Sequence, residues 1–87
     1  MINEKKEYSY TAKLKLKNGE QGYLSLEWGQ GEELLFTIKD INDADFWDDA
    51  IELQKYLNDY YKDEIESYEL IQRTVTIQEE FILCKNY

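Results

Sequence analysis

The sequence predicts an α+β domain: an antiparallel meander of three strands, one covering helix and a final strand, in the order β-β-β-α-β. Three observations carry that expectation. Residues 8–17 alternate strictly between apolar and polar. Two glycine-bearing turns, at Asn18-Gly19 and Gly29-Gln30-Gly31, follow at short intervals. Between residues 45 and 62 the apolar period changes from two to that of a helix. At 87 residues the chain is expected to be one domain with a single modest core. With 43% hydrophobic and 15% aromatic residues it is too apolar for a disordered acidic tail.

Each element follows from local chemistry. Tyr8, Tyr10, Ala12, Leu14 and Leu16 form one face of the first strand, and Ser9, Thr11, Lys13, Lys15 and Lys17 form the other. At the first turn, a loop of Lys17-Asn18-Gly19, with Gly19 left-handed, opposes Leu16 to Glu20, Ala12 to Leu24 and Tyr10 to Leu26. A two-residue loop would mix the faces, so a type I turn with a glycine bulge is expected. The second strand carries Leu24, Leu26 and Trp28. A three-residue loop at Gly29-Gln30-Gly31 then opposes Leu26 to Leu34 and Leu24 to Phe36, putting Leu34, Phe36 and Ile38 on the same apolar face.

That face needs a cover. Phe46, Ala50, Leu53, Leu57, Tyr60 and Tyr61 recur at helical spacing, with Trp47 and Ile51 widening the stripe, so a helix is expected over about 45–62. Asp43, Asp45 and Asp48 are candidate N-caps. Asp48 alternatively caps a later helix, with Phe46 on a short extended stretch. Ile71, Val75 and Ile77 alternate with polar residues as the last strand. Residues 79–83 either extend it after a bulge or form a terminal turn of helix.

Several chemistries are excluded by composition. There is no His, so no Ser-His-Asp or Cys-His arrangement and no His-based zinc site can form within the chain. Cys84 stands alone and cannot make an internal disulfide. The run Asp40 to Asp45 fails as a calcium loop, because Ala44, Asp45 and Ile51 fall where a ligand, the Gly and the Glu are required. Asp48, Asp49 and Glu52 qualify as paired carboxylates by spacing alone, and so would nearly any acidic helix. Gly29 and Gly31 precede two glutamates and a strand, which is a hairpin and not a phosphate loop. Within the first strand Lys13, Lys15 and Lys17 alternate onto the face opposite Tyr8 and Tyr10, and the charge of the whole chain also opposes nucleic-acid binding. No catalysis, cofactor or metal is expected. No apolar run approaches the roughly 20 residues of a membrane span, and the N-terminus lacks a secretory h-region, so a cytoplasmic location is expected.

Charge is the most specific feature. Eleven of the nineteen acidic residues lie between Asp40 and Glu69, against only Lys55 and Lys62, so this segment alone carries a charge equal to the whole chain's −9. Such a segment attracts basic proteins and repels nucleic acid and anionic membrane. On a helix its acids would stand about 5–6 Å apart, comparable with phosphate spacing. Tyr56, Tyr60, Tyr61 and Tyr68 add rigid apolar area with polar tips, which suits protein recognition.

The stretch Phe36-Thr37-Ile38-Lys39-Asp40-Ile41-Asn42-Asp43-Ala44-Asp45-Phe46-Trp47-Asp48-Asp49-Ala50, followed by Tyr68-Glu69-Leu70-Ile71-Gln72-Arg73-Thr74-Val75-Thr76, resembles a pattern of small bacteriophage accessory proteins. Size, acidity and the lack of catalytic residues are similar to those of anti-CRISPR proteins, some of which mimic nucleic acid. The resemblance implies a host-cell cytoplasm and a host defence protein as target, and it transfers no functional residue.

The expected function is therefore inhibition. Asp45, Asp48, Asp49, Glu52, Asp59 and Asp63 would supply charge, and Trp47, Tyr56 and Tyr60 would anchor. The partner would be a basic, nucleic-acid-reading surface such as that of an RNA-guided nuclease, with no direct contact to nucleic acid or membrane. The alternative is a small binding module, monomeric or homodimeric through a free sheet edge, whose acidity serves solubility.

Overall fold

A computed structural model describes residues 2–83. Four strands form one antiparallel sheet: β1 (Ile2–Leu16), β2 (Gln21–Gly29), β3 (Glu32–Ile38) and β4 (Ile65–Glu80), in the spatial order β3-β2-β1-β4. A 3-10 turn, Ile41–Asp43, and the helix α1, Ala50–Tyr60, lie between β3 and β4. The α+β class and the β-β-β-α-β order are those the sequence predicts. Cys84 lies outside the described residues.

The first turn forms as expected. The Gly19 amide donates to the Leu16 carbonyl (3.0 Å) and the Leu16 amide to the Glu20 carbonyl (2.9 Å), and Gly19 has φ +95°. The second turn does not. Its loop is only Gln30-Gly31, with φ +53° and +81°, a type I′ turn whose twist matches the flanking strands. Leu26 therefore opposes Leu35 and Leu24 opposes Thr37. One residue of shift turns β3 over. Leu35 packs against the core, while Phe36, expected inside, is exposed on the other face.

The ladder between β1 and β2 holds only from Lys13 to Lys15 against Gln21 to Tyr23. Beyond it the strands part and residues 45–47 enter the gap as a short extended segment that makes a single bridge. Tyr10 and Trp47 exchange both backbone hydrogen bonds, each 2.7 Å, and the Asp45 amide donates to the Leu24 carbonyl at 2.9 Å. The Leu26 amide donates to Asp45 Oδ2 at 2.6 Å. Pleating sends Trp47 toward the helix side with Tyr10. Phe46 lies under the Arg73 guanidinium, 3.8 Å from its ring centroid.

The helix consequently begins at residue 50 and not at 45. Its cap is Asp49, whose carboxylate accepts from the amides of Ile51 (2.7 Å) and Glu52 (3.1 Å); Asp43, Asp45 and Asp48 do not cap it. Leu53 and Leu57 bury the helix's inner face with Ala12, Leu14, Leu16, Leu24, Tyr61 and Ile65. The Tyr61 amide closes the last turn on the Leu57 carbonyl.

β4 starts six residues before Ile71. Glu66 is an extra residue against Lys15/Leu16, and this bulge lets Ile65 and Tyr68, of opposite parity, both face the core. Glu79 and Glu80 continue the strand without a further bulge. β1 also reaches back to Ile2, so residues 2–8 and 74–80 form a two-stranded arm beyond the helix. The arm explains the 64 Å long axis and the radius of gyration of 18.3 Å. A compact chain of this length would have a radius of about 12 Å.

Two substitutions test this packing. Asp45→Ala removes the acceptor for the Leu26 amide and is expected to cost ~1–3 kcal/mol in denaturant unfolding, the penalty of an orphaned half-buried donor. Thr11 is fully buried and its hydroxyl has no hydrogen-bond partner among the described residues. Thr11→Val, of nearly equal shape, is expected to leave stability unchanged or raise it by up to ~1 kcal/mol; a loss would show that the hydroxyl is bonded.

Candidate functional site

The register of β3 sets the site. With Leu35 turned inward, Glu33 also faces the helix, where α1 presents Tyr56 and its C-cap Tyr61. Both phenols donate to Glu33 Oε1, Tyr61 at 2.5 Å and Tyr56 by a shorter contact. Trp47, held by its backbone bridge to Tyr10, stacks at 4.8 Å from the Tyr56 ring centroid. Tyr60, one turn beyond Tyr56, lies 4.8 Å away on the other side, and Tyr61 lies at 6.0 Å. These are favourable tilted aromatic separations.

The cluster forms one wall of an open cleft of about 590 Å³ between β3 and α1. Glu32, Glu33, Leu34, Leu35 and Phe36 line one side, and Tyr56, Tyr60, Tyr61 and Glu64 the other. A smaller depression of about 290 Å³ adjoins it across Tyr56 and Tyr60, edged by Glu52, Lys55 and Asp59. Five carboxylates and a single ammonium therefore rim one tyrosine surface. Tyr60 is 71% exposed and supplies the open aromatic face.

The carboxylate governs the phenols. The hydrogen bond to Glu33, then partial burial, then the Glu33 charge raise the Tyr56 pKa to about 12. Burial first and the Glu33 hydrogen bond second push Tyr61 up further still. In both cases a phenolate would be left facing a carboxylate with no proton between them.

Compared with protein-family models, with curated proteins and with solved structures, the chain finds no match, so the reading of this site stands on its geometry.

The expected site residues divide. Glu52, Tyr56, Asp59 and Tyr60 come together on the outer side of α1, with Trp47 behind Tyr56. Asp45 is bound to the Leu26 amide and Asp49 to the helix N-terminus, so both carboxylates serve the fold. Asp48 sits exposed before the cap, and Asp63 in the exit turn after Tyr61. The acidic segment is thus not a single helix. Its eleven acids are spread over the 3-10 turn, the inserted segment, the cap, α1, the exit turn and the start of β4, and α1 itself holds only Glu52 and Asp59, with Lys55 between them. Tyr61, expected in the tyrosine cluster, completes the cleft with Glu32, Glu33 and Glu64, which were not expected there. The signal that would have found Glu33 is the two-residue β2–β3 turn, which alone decides its face.

Among the described residues, no group of His, Cys, Asp or Glu is placed to hold a metal ion, and no helix is long and apolar enough to cross a membrane.

Titration of the phenols checks the cluster. Stability owed to neutral Tyr56 and Tyr61 is intact below the unfolded tyrosine pKa of about 10. It is lost as pH rises from there through the folded values, because only the unfolded chain ionises in that window. A fraction of the tyrosinate absorbance is expected to appear only near and above pH 12. Glu33→Gln should bring that fraction to lower pH; an unchanged titration would remove Glu33 as the cause.

Proposed function

We propose that this chain is a non-catalytic binding protein that takes a basic protein surface into its tyrosine–carboxylate cleft. The specific form we favour is an inhibitor of a nucleic-acid-reading host defence enzyme, such as an RNA-guided nuclease. One observation carries the reading: Tyr56 and Tyr60 present an aromatic surface rimmed by Glu32, Glu33, Glu52, Asp59 and Glu64, with Lys55 the only base along it among the described residues. An arginine offers this surface both of its chemistries, a planar face to stack on tyrosine and a fork of donors for carboxylates. Surfaces that read nucleic acid are rich in such side chains, and their loss to a rival ligand blocks phosphate binding.

The geometry narrows the means of inhibition. A continuous acidic helix row would have favoured phosphate mimicry. The cleft instead favours capture of individual basic side chains, with the remaining acids steering approach. Catalysis does not enter this reading, because Glu33 holds the Tyr56 and Tyr61 phenols in their protonated form.

The test is inhibition of target-strand cleavage by a panel of purified, guide-loaded nucleases. One of them is expected to be inhibited, less so as salt rises. Asp59→Lys with Tyr60→Ala, both at exposed positions, should weaken that inhibition by on the order of tenfold or more while the far-ultraviolet spectrum is kept. Inhibition indifferent to both changes would sink the cleft as the contact, and no inhibition across the panel would sink the inhibitor reading.

A further inference from the structure

The cleft uses one end of the molecule; the arm at the other end has a separate chemistry. Tyr10 turns both its backbone groups toward Trp47, so its pair with Gln72 carries no hydrogen bonds within the β1–β4 ladder. Alternation then sends the amides and carbonyls of the even residues of β4, from Leu70 to Glu80, away from β1. They form a free sheet edge, since β4 ends the strand order among the described residues. Edges of this length are normally blunted by a bulge, a proline or lysines. This one runs from Ser67 to Glu80 without any of them.

We propose that this edge pairs with itself: β4 of one chain adds antiparallel to β4 of a second copy, about a twofold axis through Thr76. The side chains are self-complementary in that register. On one face run Arg73, Val75, Ile77 and Glu79, so Arg73 opposes Glu79 of the second copy and Val75 opposes its Ile77, each twice by symmetry. On the other face Thr74 opposes Gln78, and Thr76 meets its own copy, a favourable cross-strand pair. Val75 is 41% exposed, so it has apolar area to lose. Even residues oppose even ones throughout, so the outward backbone groups are the ones that meet.

Three other registers fit worse. An axis through Arg73 sets guanidinium against guanidinium, and one through Thr74 sets Glu69 against Glu79. An axis through Ile71 pairs Arg73 with Glu69 but puts Ile77 opposite Ile65, where β4 begins, leaving residues 78–82 with no partner strand. The chosen register also supplies what the arm lacks. A two-stranded ribbon in water is marginal alone, whereas paired arms make four strands within a continuous eight-stranded sheet.

This pairing is independent of the cleft, and its failure would leave the cleft reading in place. Sedimentation across a wide concentration range tests it. The full chain is expected to sediment as a dimer. Thr76→Pro is expected to be monomeric yet folded, because the amide it deletes points to the open edge and not to β1. Arg73→Glu should weaken the dimer by on the order of tenfold, as two attractive pairs become repulsive. Adding Glu79→Arg should restore it, although the cation–π contact of Arg73 with Phe46, its 2.9 Å hydrogen bond to Ser9 Oγ and the Lys5–Glu79 ion pair stay lost. A monomeric wild type, a Thr76→Pro dimer, or a charge swap that fails to rescue would each overturn the proposal.

Discussion

The insertion of residues 45–47 between β1 and β2 is the constraint on which the rest of this structure depends. A twisted meander that pairs fully would hold the two strands together along their length. Here they separate after Tyr23, and every separated backbone group in a half-buried sheet needs a partner. The inserted segment supplies four: two to Tyr10, one to the Leu24 carbonyl and, through the Asp45 carboxylate, one to the Leu26 amide. Its pleat places Trp47 under the helix and Phe46 under Arg73 on opposite sides of the sheet. α1 can start only after this segment is anchored, which fixes where Tyr56 and Tyr61 arrive over β3.

Glu33 shows how a half-buried carboxylate can be satisfied without a cation. Among the described residues the two ion pairs, Lys5–Glu79 and Lys15–Glu66, both lie on the β1–β4 ladder, away from the cleft. Glu33 is instead held by two phenols, which donate protons without adding charge. The helix–sheet junction is thereby tied together while the local field stays negative. An arginine in place of either tyrosine would bridge the same gap and cancel the field that a basic partner feels. Structure and recognition therefore ask for the same residue type at Tyr56 and Tyr61.

How much of this was legible follows from what burial leaves in a sequence. Residues 8–16 alternate because one face meets the core, and the first turn followed from keeping that alternation in register. Residues 2–7 form the same strand but show no pattern, because in the arm neither face is covered and Asn, Glu and Lys serve equally on both. The early part of β4 was hidden by Glu66, whose bulge breaks parity between Ile65 and Tyr68. Phe46, Trp47 and Ala50 mimic helical spacing, yet the first two lie on an extended segment and face opposite ways. The cleft was half legible. Tyr56, Asp59 and Tyr60 share a helix face by spacing alone, while Glu33 needed a long-range register that one left-handed residue, Gln30, decides.

The distribution of charge ties the two ends of the molecule together. A chain of −9 meeting its own copy brings two like charges close, and a uniform distribution would oppose any dimer. The distribution is not uniform. In residues 2–8 two lysines balance two glutamates, and residues 74–80 hold two glutamates, so the arm carries only −2 of the −9. The acids of residues 40–69 belong to the domain end, and the long axis measures 64 Å. Screening at physiological salt acts over about 8 Å. A weakly charged arm would therefore let two chains approach edge to edge as proposed, while the acidic domains repel each other only weakly.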